Sequence, residues 1–288
     1  MTKPVDLLVD GFSRYRIDFG YDGTDFNGFV KQPNLRTVQG ELLAGLKVIF
    51  GKDKNDYGMR VAGRTDAGVH AKHQVAHIDL TPAQLKRVGR GPDVASRLNS
   101  FLPKDIRVHD FREAPAGFDA RFSAISRTYR YRIADNKALL DPLQLRYVLE
   151  LRASLDIKPM KLAAKELLGL HDFAAFCKPR EGATSIRNLR ALKITRNQEL
   201  GNIVEIELKA DAFCHNMVRS IVGALVAVGR GRASVQDIAD RLKSGSRVGS
   251  FKVLGPEGLT LIEVGYPKDS KLASQAAMAR SLRSLEEN

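Results

Sequence analysis

Two predicted strands are joined by a tight loop in the stretch Arg60-Val-Ala-Gly-Arg-Thr-Asp-Ala-Gly-Val-His-Ala71. Gly63 and Gly68 bracket this loop, so its backbone can turn sharply and lie close to another segment. A single carboxylate, that of Asp66, lies at the centre of an otherwise basic run. This combination is more typical of a functional site than of a simple connection.

The composition favours a globular protein that binds a polyanion. The 288 residues suffice for two domains or one large one, and the contents of 43% hydrophobic and 27% charged residues are ordinary. Lys and Arg number 46 against 33 Asp and Glu, which gives a net charge of +13. Such a surplus attracts nucleic acid above all, although a merely basic cytosolic enzyme would also fit.

The two cysteines and the chain start bear on the compartment. Cys177 and Cys214 lie far apart in the sequence without a CxxC pattern, so we expect both to be reduced and packed. The first residues lack the apolar core of a signal peptide, and no apolar run approaches the roughly 18 residues of a membrane helix. We therefore expect a cytoplasmic protein without a membrane segment.

Hydrophobic periodicity predicts an N-terminal half, residues 1–115, that carries the Asp66 loop. Alternation predicts strands and a 3.6-residue period predicts helices. The predicted elements are a strand at 13–20, a helix from Thr37 to Phe50, strands at 57–62 and 74–80, a helix at 92–102 and a strand at 105–112.

A similar order recurs in a C-terminal half, residues 116–267. The predicted elements are strands at 126–133, 187–196, 202–210 and 259–266, and helices at 159–169, 214–228 and 234–243. The repetition predicts a duplicated α+β unit. Residues 268–288 form a polar tail that is either helical or disordered.

Two motif interpretations of the loop fail on the sequence itself. Gly63 and Gly68 have the spacing that opens a phosphate-binding P-loop, but Val69-His70 follows instead of Lys-Ser/Thr. Three histidines, His70, His73 and His77, have helical spacing in a segment predicted to be loop and strand, and no acidic or cysteine cluster supports them. We predict no metal site.

Asp66 itself has two open interpretations. It could cap its own turn through an Asx hydrogen bond, or it could act as a nucleophile or general base. A second hint lies in the predicted helix 214–228, where His215, Arg219 and Gly223 form a stripe apart from the apolar face. Arg219 either extends into solvent or is a buried partner of Asp66.

A third hint is Tyr129 in the strand at 126–133. Its ring could simply pack in the core, a role that suits Tyr131 equally well. Alternatively it stacks against a nucleobase, with Arg127, Arg130 and Arg132 available for phosphates.

These stretches together resemble the tRNA pseudouridine synthase A (TruA-type) family. The central motif is similar to Ala62–His70, and the opening Tyr-Asp-Gly-Thr signature is similar to Tyr21–Thr24. Further matches are Arg121-Phe-Ser-Ala124, Tyr129-Arg-Tyr131 and the segment from Phe213 to Arg219. Phe29 stands where the family most often carries Trp, a departure that could alter packing behind the site.

The resemblance implies an α+β pseudouridine synthase fold of two similar α/β halves. It further implies a mixed, mostly antiparallel sheet and a central basic cleft. The implied activity is isomerisation of uridine to pseudouridine at positions 38–40 of the tRNA anticodon stem-loop, by a homodimer with no cofactor and no metal. A non-catalytic RNA-binding module and a hydrolase of small phosphate esters are the alternatives.

The resemblance also implies residue roles. Asp66 is the catalytic nucleophile, Arg64 holds the flipped nucleotide or fills the space it leaves, and Arg219 pairs with Asp66. Tyr129 stacks on the detached uracil and is a candidate to take the C5 proton. Whether Asp66 bonds C1′, adds to C6 or removes a sugar proton is left open by the sequence.

Overall fold

A computed structural model describes residues 11–87, 91–182, 184–247 and 251–281. The described chain divides into two compact units. The first runs to Ala124 and also takes in Tyr266–Arg280, and the second spans Ile125–Gly265.

The first unit is built on antiparallel strands. Strand β1 (Ser13–Tyr21) lies between β3 (His70–Leu80) and β4 (Ile106–Glu113), and the short β2 (Arg60–Val61) pairs with β3. Residues such as Ile17 and Ile78 alternate into a fully buried core. The Asp66 loop therefore connects two strands of one sheet.

Helices of the first unit begin where the sequence supplies caps. Helix α1 (Val38–Phe50) begins after Thr37, whose hydroxyl accepts from the amide of Gly40, and ends at Gly51. The short α2 (Pro82–Leu85) and α3 (Gly91–Phe101) precede β4. Part of the polar tail also forms a helix, α7 (Leu272–Met278), with Leu272 and Ala276 buried.

The second unit has a longer sheet centred on β5 (Ser126–Ala134). Its antiparallel partners are β9 (Ile203–Ala210) and β10 (Leu259–Gly265). Strand β8 (Ile186–Asn197) pairs with β9, and β7 (Gly169–Asp172) pairs with β8. The short β6 (Leu149–Glu150) runs parallel to β5, so the sheet is mixed but mostly antiparallel.

Helices α4 (Ile157–Lys165), α5 (Met217–Gly229) and α6 (Val235–Ser244) complete the second unit. Two predicted helix boundaries were wrong. Gly169, at φ 105°, opens β7 rather than ending α4. Asn216, at φ 67°, precedes α5, so the helix begins at Met217 and not at residue 214.

The expectation of two reduced, separate cysteines was also wrong. Cys177 and Cys214 form a disulfide, with their Cα atoms 5.7 Å apart. The amide of Lys178 donates to the carbonyl of His215 beside it, at 2.9 Å. The two cysteines are 37 residues apart in sequence, and only the fold brings their segments together. The sequence pattern therefore did not predict this contact.

The predicted α+β class with a mixed, mostly antiparallel sheet is confirmed. Among the residues that the structure describes, no helix is long and apolar enough to cross a membrane.

Candidate active site

The Asp66 loop is held against the segment that follows the Tyr21–Thr24 motif. The amide of Phe29 donates to the carbonyl of Thr65 at 3.1 Å, and the amide of Gly68 donates to the carbonyl of Phe26 at 3.2 Å. A Cβ placed at Gly28 would lie only 3.1 Å from the Thr65 carbonyl oxygen. These main-chain contacts fix the loop on both sides of Asp66.

Buried side chains support the loop from below. The hydroxyls of Tyr21 and Thr65 lie 2.8 Å apart, and the Gln74 amide donates to the Gly63 carbonyl at 2.8 Å. Burial raises the pKa of Tyr21 to about 12, although its hydrogen bonds with Thr65 and Gln74 act in the opposite direction. The phenol therefore stays protonated at neutral pH.

Gln74 is a supporting residue that the sequence reasoning did not single out. It is fully buried on β3, opposite Phe19 of β1. A glutamine in an alternating strand carries no local signal of this role. Only the folded structure shows that its amide reaches the carbonyl of Gly63.

His70 holds the start of the loop's second strand. Its Nδ1 accepts from the amide of Gly23 at 3.0 Å, and a Cβ at Gly23 would collide with the carbonyl of Val69. His77 likewise accepts from the amide of Ala120 through Nδ1, at 2.9 Å. Among the described residues, no three His, Cys, Asp or Glu side chains converge as a metal ion would require.

Asp66 and Arg64 differ in exposure although they are near neighbours. Arg64 is exposed, Thr65 between them is buried, and Asp66 is half-buried. The loop therefore places a half-buried carboxylate on a fixed backbone, two residues after an exposed arginine. Such an arrangement can deliver an ionised group to a bound substrate.

Tyr129 lies in the second unit, on β5. Its side chain is buried, and its ring meets that of Phe213 edge to face, with centroids 5.2 Å apart. Tyr131 is buried completely and donates to the carbonyl of Gly255 at 2.7 Å. Burial raises the pKa of Tyr131 far above its ordinary value, so its hydroxyl is a fixed donor.

Arg219 is held on α5 by the chain that runs alongside it. Its Nε donates to the carbonyl of Leu254 at 2.7 Å, and a Cβ at Gly223 would collide with the carbonyl of Lys252. His215 is exposed and lies ahead of the helix, so the predicted helical stripe from His215 to Gly223 was wrong. The pairing of Arg219 with Asp66 stays a prediction.

The arginines around Tyr129 were wrongly predicted to be available for phosphates. Arg127 is buried and donates to the carbonyl of Asp211 at 2.7 Å. Arg130 and Arg132 bond to carboxylates of β9, those of Glu207 and Glu205, each at 2.8 Å. All three guanidiniums are engaged within the second unit.

Comparison with known proteins identifies the family. A tRNA pseudouridine synthase A of Leifsonia xyli subsp. xyli is 47% identical over 290 residues, covering 96% of this chain and all of the relative. The chain belongs to the tRNA pseudouridine synthase A family. The counterpart of Streptomyces avermitilis is also 47% identical, over 281 residues and 97% of both chains. A family model described as tRNA pseudouridine synthase matches residues 163–267.

Solved structures add little to this assignment. A chain from a Cbf5-Nop10-Gar1 complex has a TM-score of 0.34 and 13% identity, covering 85% of this chain and 50% of its own. A chain from an H/ACA RNP bound to a substrate RNA containing 2′-deoxyuridine has a TM-score of 0.31 and 13% identity, covering 71% and 49%. At these TM-scores and identities, neither structure defines the fold of this chain.

Proposed function

We propose that this member of the tRNA pseudouridine synthase A family isomerises uridine to pseudouridine at positions 38–40 of the tRNA anticodon stem-loop. The observation that supports this proposal most directly is the half-buried carboxylate of Asp66. It lies on a loop fixed by Phe29, Gly68 and the Tyr21–Thr65 hydrogen bond. A net charge of +13 supports a polyanionic substrate.

The proposed reaction is balanced without a cofactor. The N1–C1′ bond breaks, the uracil rotates and C5 bonds to C1′. The proton on C5 is then lost, and N1 takes up a proton. An ionised carboxylate suits the electron-poor sugar carbon, as in retaining glycosidases. Asp66 is the proposed nucleophile, which either attacks C1′ or adds to C6; in a third route it instead removes a sugar proton as a base.

The proposed roles of the other residues follow from their exposure and placement. The target uridine must leave its stack, which costs a few kcal/mol, and the exposed Arg64 beside Asp66 suits the vacated space. Tyr129 stacks on the detached uracil. Arg219, oriented by the Leu254 carbonyl, pairs with Asp66 and orients its carboxylate.

Location, assembly and domain limits complete the proposal. We place the enzyme in the cytoplasm, with catalytic N-terminal (1–115) and C-terminal (116–267) halves. The resemblance also favours a homodimer, and the exposed side chains of Leu139 and Leu143, at 82% and 85%, are candidates for its contact. Sedimentation of a Leu143→Asp variant tests this: a monomer supports it, whereas an unchanged dimer would remove Leu143 from the interface.

Tritium release from tRNA carrying tritium at C5 of uridine tests the activity. The proposal predicts release that is retained in EDTA and lost when the uridines at 38–40 are replaced by cytidine. No release from any tRNA would favour the alternative, a non-catalytic RNA-binding module. Metal-dependent hydrolysis of a phosphate ester would favour the hydrolase.

A further inference from the structure

The guanidinium of Arg36 is held both in its plane and on its face. Its Nη1 and Nη2 donate to the two carboxylate oxygens of Asp105, at 2.8 and 2.9 Å, and its Nε donates to Glu41 at 3.3 Å. Its Cζ lies 4.1 Å from the ring centroid of Phe26, which is buried. This distance is within the range of cation–π attraction, and the paired bonds to Asp105 fix the plane of the guanidinium.

Main-chain hydrogen bonds lead from Arg36 through Phe26 to the Asp66 loop. The amide of Asn27 donates to the carbonyl of Arg36 at 2.9 Å. The carbonyl of Phe26 accepts from the amide of Gly68 at 3.2 Å, and Gly68 comes two residues after Asp66. The ring that Arg36 holds therefore belongs to the residue whose carbonyl fixes one end of the loop.

Asp105 connects Arg36 to the other support of the loop. The carbonyl of Asp105 accepts from the amide of Asp22 at 3.0 Å, and Asp22 directly follows Tyr21, the last residue of β1. The hydroxyl of Tyr21 lies 2.8 Å from that of Thr65. Arg36 and Asp105 are both half-buried, and their pair has the bidentate geometry in which an ion pair contributes measurably to structure.

A comparable arginine pair lies near the opposite ends of the same strands. Nε and Nη2 of Arg14 donate to the two carboxylate oxygens of Asp79, at 2.7 and 2.8 Å. The two residues face each other near the start of β1 and the end of β3. The Asp66 loop meets β3 at His70, its first residue. Replacing Arg14 therefore disturbs a similar ion pair far along the strands from the loop.

We propose that Arg36 is a positioning residue for Asp66, a role whose effect on turnover rests on the proposed function. Arg36 acts through other residues and not on the reacting atoms. It fixes the ring of Phe26 against Asp105, and this keeps the Phe26 carbonyl in place for the Gly68 amide. A catalytic group needs such support because small displacements from the productive geometry are costly.

The kinetics of Arg36→Lys, with Arg14→Lys as the matched control, test this role. Lysine keeps the charge, but it lacks the planar fork that bonds both oxygens of Asp105 while lying on the Phe26 ring. We expect kcat to fall about tenfold in Arg36→Lys with KM for tRNA nearly unchanged. Arg14→Lys should lower the melting temperature by a similar amount and keep the wild-type kcat. Equal kcat values for the two variants would overturn the proposal.

Asp105→Asn tests whether the two partners act as one unit. The substitution preserves the shape of the side chain and removes its charge, so kcat should fall as in Arg36→Lys. The double variant should lose little more than either single variant, because both remove the same interaction. Losses of kcat that multiply in the double variant would contradict a shared role.

Hydrogen exchange of the Gly68 amide, followed by NMR, tests the path without turnover. We expect this amide to exchange several-fold faster in Arg36→Lys than in Arg14→Lys, because its acceptor carbonyl is no longer fixed. Equal exchange of Gly68 in the two variants would overturn the path through Phe26. Faster exchange in a protein whose wild type forms no pseudouridine would support the path and overturn only the proposed function.

Discussion

The phenol of Tyr21 lies 2.8 Å from the hydroxyl of Thr65, the residue immediately before Asp66. Both side chains are buried, and Tyr21 is also within 3.4 Å of the Gln74 amide. The end of β1 and the middle of β3 thus meet beneath the loop. The direction of the Asp66 carboxylate depends on buried neighbours as well as on its own turn.

Replacing Tyr21 by Phe should lower turnover without weakening tRNA binding. The change removes one buried hydrogen bond, costing on the order of 1 kcal/mol of unfolding free energy, and it frees Thr65 to shift. Because small misplacements of a catalytic group are costly, we expect kcat to fall about tenfold. Tyr15→Phe on the same strand is the control. Equal kcat values for the two variants would show that Tyr21 does not position the loop.

Replacing Arg219 by Leu should reduce kcat more than it reduces tRNA affinity. A guanidinium held by the Leu254 carbonyl is oriented for a partner, and its loss would leave the proposed partner, the Asp66 carboxylate, less well oriented. Arg219→Lys retains the charge but not the planar fork, so its kcat should be intermediate. Single-turnover kinetics with a separate binding assay measures both quantities. A loss of affinity with normal kcat would make Arg219 an RNA contact.

Acid should destabilise the protein partly through His77. Burial, reinforced by the charge of Arg14, lowers the pKa of His77 to about 3, against an ordinary value of 6.5. Below pH 6.5 the unfolded chain therefore binds a proton at His77 that the folded chain does not. The stability that the neutral His77 contributes is complete above pH 6.5 and is lost as the pH falls toward 3.

For one such proton, the unfolding free energy changes by about 1.4 kcal/mol per pH unit. Urea unfolding of the wild type and of His77→Asn between pH 7 and 4 measures the contribution of His77. Asparagine does not titrate but can still accept from the Ala120 amide, so the hydrogen bond is retained. The unfolding free energy of the wild type should fall faster. Parallel curves would mean that His77 is not buried in its neutral form.

The bond between Cys177 and Cys214 should contribute to stability. Closing a loop of 37 residues is worth up to about 4 kcal/mol in the chain-entropy model. Alkylation of the unreduced, denatured protein should modify neither cysteine, and reduction should lower the melting temperature. Two modified cysteines before reduction would instead match the dithiol form usual in a reducing compartment.

The sequence was sufficient where the determining interactions are local. The alternation around Ile17 and the capping residue Thr37 predicted β1 and α1 with nearly correct limits. Local sequence patterns did not predict the register in which β5 pairs with β9. Arg130 and Arg132 look like a phosphate-binding face until β9 places Glu207 and Glu205 opposite them.

The candidate site shows the same division. Glycine spacing around a lone acid was enough to single out Asp66, and the family resemblance is confirmed by relatives at 47% identity. The support from Gln74 and the contact between Cys177 and Cys214 depend on segments distant in sequence. The start of α5 was misjudged because Asn216 adopts a left-handed conformation that its residue type only weakly signals.

The most direct test of the account is tritium release from C5-labelled uridine in tRNA by an Asp66→Asn variant. The substitution keeps the shape of the side chain and removes its charge, and Asp93→Asn on the exposed face of α3 is the control. We expect wild-type release by the control, and retained tRNA binding with background release by Asp66→Asn. Undiminished release by Asp66→Asn would contradict it.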